Sequence, residues 1–170
     1  MNSKMSTQDF EEIYERYKTM LYRIAFTYLK NNVDVEDVLQ EVFLKRFRQA
    51  PEFEDEEHEK YWMIRITINL SKDTLRSFWK KKVGSIDEIM KSPEILQWNF
   101  SENEKDIFRE VMSLPEKQKI TVYLHYYEGY TCKEIAGILN CKESAVKMRL
   151  KKGRELLKIS VKKEGLYAFR

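Results

Sequence analysis

The chain is poor in everything that interrupts helices. Its 170 residues contain five Gly and three Pro, too few for the closely spaced turns of a sandwich or barrel. Helix formers dominate, and the expected fold class is all-α. Only two Cys and two His are present. Cys132 and Cys141 flank one expected helix with no His or Cys cluster at zinc-binding spacing, so they read as small, partly buried side chains. A thiol at a helix start is more acidic than usual, which leaves a redox role open and nothing more. His58 and His125 sit in no metal or nucleophile motif, and there is no Gly-rich phosphate loop. The sequence therefore points to no catalytic residue, no metal ligand and no cofactor. No apolar run is long enough to span a bilayer and no signal-peptide pattern is visible, so a cytoplasmic protein without membrane insertion is expected. The net charge of +3 excludes little by itself.

The placement of that charge is more informative. Residues 1–80 hold 13 Lys and Arg against 15 Asp and Glu, whereas residues 142–163 hold nine basic side chains against two acidic ones. Basic charge concentrated on one helix is the footprint of phosphate binding. The segment TCKEIAGILNCKESAVKMRLKKGRELLK, residues 131–158, reads as two helices joined by a tight turn. Thr131 and Glu134 fit a capping box. Ile135, Ala136, Ile138 and Leu139 form the inward face of the first helix, and Asn140 suits a turn that needs positive φ. Val146 and Leu150, four apart, point inward on the second helix. This is the layout of a helix-turn-helix whose second helix enters a major groove. Lys142, Ser144, Lys147, Met148 and Lys151 are its candidates for base or nearby backbone contact. Arg149, Lys152 and Arg154 are its candidates for phosphate contact.

Upstream, apolar residues from Phe10 to Leu29 recur at steps of three and four and predict a helix over 8–30, ended by Asn31 and Asn32. A second helix is expected over 34–48, with Val38, Leu39, Val42, Phe43 and Phe47 on its buried side and acidic residues at its start. Residues 49–59 contain Pro51 and six acidic residues, and read as a loop in which Phe53 is the stranded apolar residue. Residues 60–80 show both alternation and a helical stripe (Trp62, Ile66, Leu70, Leu75, Phe78). A lone strand would have no partner, so a helix is expected. Residues 84–102 lack sustained periodicity and read as a linker with one short helical turn at 86–90. Helical spacing returns over 103–112. Ser113 and Glu116 fit another capping box with Pro115 in the first turn, and the helix that follows runs to Tyr127 with Gly129 as its stop. The final stretch, KKEGLYAFR, reads as frayed. Two small helical domains, 1–82 and 103–170, joined by a flexible linker over 83–102, are the expected organisation.

Three stretches carry a resemblance: DVEDVLQEVFLKRF (34–47), YWMIRITINLSKDTLR (61–76), and SLPEKQK (113–119) followed by EGYTCKEIAGIL and SAVKMRLKKGRELL. In this order they resemble the bacterial RNA polymerase sigma factors of the extracytoplasmic-function type, with the first two similar to sigma region 2 and the rest to sigma region 4. The chain departs from the family pattern at Thr67, where Ala is usual, at Ser144 and Ala145, where Gly-Thr is usual, and at Lys142, often Pro. The resemblance implies a transcription initiation factor that binds core RNA polymerase, through its β′ and β subunits, and promoter DNA. Asp37, Gln40 and Glu41 match the polymerase-docking motif and fall on one helix face. At the −10 element the family flips a base out of the non-template strand, and such a base needs a stacking surface, a polar edge reader and cations. Phe53, Tyr61, Arg65, Asn69, Lys72, Arg76 and Lys80 are the residues placed to supply them. The basic helix would read the −35 element. An anti-sigma factor is implied as a further partner. The competing reading is a stand-alone helix-turn-helix regulator, which would bind DNA without core polymerase.

Overall fold

The computed structural model describes residues 5–78 and 102–163, and the chain separates into two units, Met1–Gly84 and Ser85–Arg170. Among the described residues every regular element is a helix. The expected linker over 83–102, with its short turn at 86–90, lies outside the described residues except for Glu102, and so do Trp79 to Lys82 and the tail after Lys163.

The first unit is three helices packed against one another: α1 (Thr7–Leu29), α2 (Asn32–Gln49) and α3 (Glu56–Phe78). Ser6 opens α1 with a reciprocal cap. Its hydroxyl accepts from the Asp9 amide at 3.1 Å, and the Asp9 carboxylate accepts from the Ser6 amide at 3.1 Å. The Ser6 hydroxyl also donates to the Asp9 carboxylate at 2.6 Å, and this bond, helped by the one from the Ser6 amide, holds the Asp9 carboxyl below its ordinary pKa. Lys30, in the left-handed region at φ 52°, ends α1. Asn31 and Asn32 therefore do not act as the stop that their composition suggests. Instead the Asn31 side chain accepts from the Asp34 amide at 2.9 Å and starts α2 two residues early.

The core of this unit joins Leu21, Ile24 and Phe26 from α1, Val35 and Val42 from α2, and Met63, Ile64 and Ile68 from α3, all essentially inaccessible. Two expectations fail here. The buried stripe of α3 runs through Ile64, Thr67, Ile68 and Ser71, while Trp62, Ile66 and Leu70 are only half-buried. The hydroxyls of Thr67 and Ser71 donate to the carbonyls one turn back at 2.8 and 2.7 Å, so polar residues occupy the core without an unmet hydrogen bond. Phe47 is 48% exposed rather than buried. One edge packs on Phe10 at 5.9 Å between centroids, and the remainder faces solvent near the end of α2. The acidic loop is also shorter than expected. It spans 50–55, and Glu56, Glu57 and Glu59 lie in the first turn of α3, where they suit the helix dipole. The Asp55 carboxylate accepts from the His58 amide at 2.8 Å and begins that turn.

The second unit holds α4 (Glu102–Met112), α5 (Glu116–Tyr126), α6 (Cys132–Leu139) and α7 (Glu143–Lys163). Phe108, Val111, Val122, Tyr123, Leu124, Ile135 and Val146 form its core. The expected Ser113 and Glu116 capping box is absent. Ser113 donates to the Arg109 carbonyl at 3.0 Å, and Pro115 occupies the cap of α5 with no side-chain bond. Gly129 adopts φ 74° between α5 and α6, a conformation that disfavours other residues. Gly153 is where α7 crosses α5. A Cβ there would lie 2.7 Å from Val122 Cγ2.

Candidate nucleic-acid and protein interfaces

The helix-turn-helix is built locally. The Thr131 hydroxyl accepts from the Glu134 amide at 3.2 Å, the Thr131 half of the expected box. Asn140 takes φ 52° and ends α6, and its amide still donates to Ala136. Val146 and Leu150 are buried at 0% and 2% exposure, with Gly153 and Leu157 continuing the same stripe. That stripe fixes the rotation of α7 and therefore which side chains face outward. Lys142, Ser144, Lys147, Met148, Lys151, Lys152 and Arg154 are exposed, and Met148 is 73% exposed. Arg149 is half-buried, and its guanidinium donates to Cys141 Sγ at 3.6 Å across the turn. Arg154 donates to the Tyr126 hydroxyl at 3.1 Å, which ties the middle of α7 to α5. Lys147 pairs with Glu143 one turn back, Nζ to Oε1 at 3.4 Å. Both cysteines are free and half-buried. The outer surface of α7 is therefore mainly cationic, interrupted by the Met148 thioether and the Glu143 carboxylate, and anchored by an apolar stripe beneath.

On α2, Asp37, Gln40 and Glu41 are all exposed. Glu41 is within 3.9 Å of Lys45. The same flank carries Val33 and Leu44, 69% and 43% exposed. Positions 33, 37, 40 and 44 follow steps of four, three and four, so they form one continuous stripe. Apolar side chains left in water at both ends of a polar motif are a signal absent from the sequence reading, although Leu44 lies only one turn beyond Gln40.

On α3, Tyr61, Arg65, Asn69, Lys72 and Arg76 recur at steps of three and four along one outer face. Asn69 and Arg76 are exposed, and Tyr61, Arg65 and Lys72 are half-buried. The Arg65 guanidinium lies 5.9 Å from the centre of the Tyr61 ring, and Arg76 pairs with Asp73 at 3.4 Å. Lys80 lies outside the described residues. Phe53 is half-buried, not free. It meets Trp62 at 5.6 Å and His58 at 5.4 Å between centroids, and the Arg46 guanidinium lies 4.9 Å from its ring centre. Arg46 in turn donates twice to Glu59, at 3.0 and 2.6 Å. Glu59 is 7% exposed and also lies 3.8 Å from Arg16. Burial, reinforced by the neighbouring Glu59 charge, pushes the Tyr17 phenol up to about 12. Arg16, Arg46, Phe53 and Glu59 help wall an open depression of about 580 Å³ whose rim includes Glu52, Asp55 and Glu56. Two guanidinium groups facing several carboxylates make a polar surface rather than an apolar ligand pocket. Among the described residues no group of His, Cys, Asp and Glu is arranged to hold a metal, and no helix is long and apolar enough to cross a membrane.

The chain is similar to known proteins. The family Sigma-70 region 2 matches residues 13–81, and Sigma-70, region 4 matches residues 105–157. The chain is 30% identical over 152 residues to RNA polymerase sigma factor SigV of Bacillus subtilis, covering 88% of this chain and 89% of that protein. It is 27% identical over 162 residues to the ECF RNA polymerase sigma-E factor of Escherichia coli K12, covering 87% and 84%. Among solved structures, the sigma factor RpoE in complex with the anti-sigma factor NepR from Bartonella quintana superposes with a TM-score of 0.69 at 19% identity, covering 92% of this chain and 98% of that one. CnrH in complex with the cytosolic domain of CnrY gives 0.63 at 18% identity, covering 92% and 90%. These two likenesses bear on the fold.

Proposed function

Because this chain belongs to the sigma-70 family, in its extracytoplasmic-function branch, we infer that it is a transcription initiation factor that binds core RNA polymerase and directs it to promoters with defined −10 and −35 elements. The observation that carries this reading is the pairing, in one chain, of a helical unit with an exposed mixed polar and apolar stripe and a separate unit with a cationic helix-turn-helix. A regulator acting alone needs only the second.

Docking falls to the α2 stripe. Asp37, Gln40 and Glu41 supply directional acceptors and an amide, and Val33 and Leu44 supply apolar area at either end. Burying those two side chains on a partner removes exposed apolar surface, which favours association without any chemistry on the chain's part. The α3 face serves the −10 element. Tyr61 offers a ring, Asn69 an amide able to donate and accept, and Arg65, Lys72 and Arg76 offer cations for the strand, with Lys80 following two residues past the end of α3 in sequence. Phe53 belongs to this surface through its exposed part, while Arg46 and Glu59 hold it in place. Glu52, Asp55 and Glu56 keep phosphate away from the rest of the rim by like-charge repulsion. The −35 element belongs to α7. Lys142, Ser144, Lys147, Met148 and Lys151 face the bases or the backbone beside them, and Arg149, Lys152 and Arg154 the phosphates.

The domain boundaries proposed for these roles are 1–82, 83–102 and 103–170. The factor works in the cytoplasm, where polymerase and chromosome are. The complex of the structural neighbour RpoE with the anti-sigma factor NepR supports an anti-sigma factor as a regulatory partner of this chain. The test is run-off transcription from a library of promoter fragments with purified core polymerase. Adding the protein is expected to give initiation at a discrete set of promoters, and Asp37→Lys with Gln40→Ala is expected to abolish it. Transcription no different from core polymerase alone would overturn the reading.

A further inference from the structure

The first turn of α7 carries an acidic residue, Glu143, beside the residues assigned above to base contact, and the next acidic residue on α7 is Glu155, twelve positions later. Its side chain is 48% exposed and holds Lys147, 65% exposed, at 3.4 Å. A carboxylate in this position is costly near DNA. It meets the phosphate field with the wrong sign and offsets the charge that Lys147 would contribute. The helix dipole and the i,i+4 pair also favour a Glu here, but they act on helix stability and leave its cost beside DNA uncompensated. The major groove contains only one kind of group that a carboxylate can accept from, the exocyclic amine of cytosine or adenine. Guanine and thymine present acceptors there, apart from the thymine methyl.

We propose that Glu143 is a specificity-determining residue: its carboxylate accepts from a cytosine or adenine amine in the upstream element, and with Lys147 it forms a two-charge reader. On matched DNA the pair separates, with the carboxylate on an amine and the ammonium on a guanine N7 or O6. On unmatched DNA the carboxylate faces acceptors and phosphates, and the pair stays closed. Glu143 thus lowers affinity for random DNA while raising it for one base pair. The proposal rests on α7 meeting the −35 element, as inferred above.

The experiment uses the full chain with core polymerase and a promoter library randomised across the upstream element, reading enrichment base by base together with binding to random-sequence duplex as a function of salt. Glu143→Met keeps the length of the stem and removes both the acceptor and the charge. It is expected to relax preference at one base pair by about tenfold, to raise affinity for random DNA several-fold, and to steepen the salt slope by about one counter-ion. Glu143→Asp, which keeps the charge on a shorter stem, is expected to retain the low random-DNA affinity with weaker base preference. If wild-type protein shows upstream preference and Glu143→Met leaves it unchanged at every position, the proposal is wrong while the −35 reading stands. If wild-type protein shows no upstream preference at all, the −35 reading itself fails.

Discussion

Gly153→Ala sets two known effects against each other with opposite signs. In an exposed helix interior the change stabilises by about 1 kcal/mol, because glycine loses more backbone freedom on folding. At this position the new Cβ would stand 2.7 Å from Val122 Cγ2. Val122 is fully buried on α5 and, being β-branched, has little rotamer freedom to yield. Overpacking of this kind costs about 1–3 kcal/mol. The clash therefore wins, and a net loss on the order of 1 kcal/mol is expected. Val122→Ala alone removes two methyl groups and costs about 2 kcal/mol. In the double variant the methyl added at position 153 enters the space that Val122 vacates, so the combined loss is smaller than the two single losses together, by about 1–2 kcal/mol. Hydrogen exchange of the α5 and α7 amides in the full chain reports the opening free energy of this unit directly. Gly153→Ala protecting those amides better than wild type, or strict additivity in the double variant, would refute the packing argument. The same shift would move α7 off α5, so weaker use of the upstream element should accompany it.

Other expectations concern the remaining surfaces. Arg46→Met removes the nearest cation from a buried Glu59 and should cost about 3 kcal/mol, seen as a lower denaturation midpoint for the first unit. An unchanged midpoint would mean Arg16 suffices. The Tyr17 phenol rises from 10.0 to about 12 on folding, so its contribution is complete below pH ~10 and is lost as pH rises toward ~12. Tyr17→Phe should flatten the fall in melting temperature over that window, and an equally steep fall in the variant would count against it. Replacing Lys147 and Lys151 together with Ala should weaken upstream-element binding and reduce its salt slope, by up to about 0.9 for each phosphate no longer neutralised. A slope equal to wild type would locate DNA binding elsewhere.

The helix-turn-helix was legible because every signal in it is local. Thr131 caps, Asn140 turns and Val146 with Leu150 face inward, each within a few residues of its effect. The first unit was harder wherever polar groups do the work of apolar ones. Thr67 and Ser71 are buried because their hydroxyls bond back to the helix, so a hydrophobic stripe drawn through Trp62, Ile66 and Leu70 lay on the wrong side. Asn31 can stop one helix or start the next. Only the Asp34 amide's approach to its side chain decides between them. Ser113 had a competing acceptor in Arg109. The Arg46 and Glu59 pair joins residues thirteen apart, and its link to Phe53 depends on how α2 and α3 pack, which no spacing rule foresees. Of the candidate binding residues, exposure along α7 and α2 followed from periodicity, whereas the stripe formed by Val33 and Leu44 became visible only once the core had been assigned.

DNA recognition by this chain is expected to depend on core polymerase. Permanganate and nuclease footprinting on a responsive promoter test it with the chain alone, core polymerase alone and the two together. Permanganate-reactive, unpaired thymines at the −10 element and nuclease protection of the −35 element are expected only when both are present. Equal protection of the same site by the chain alone, without any opened bases when polymerase is added, would contradict it.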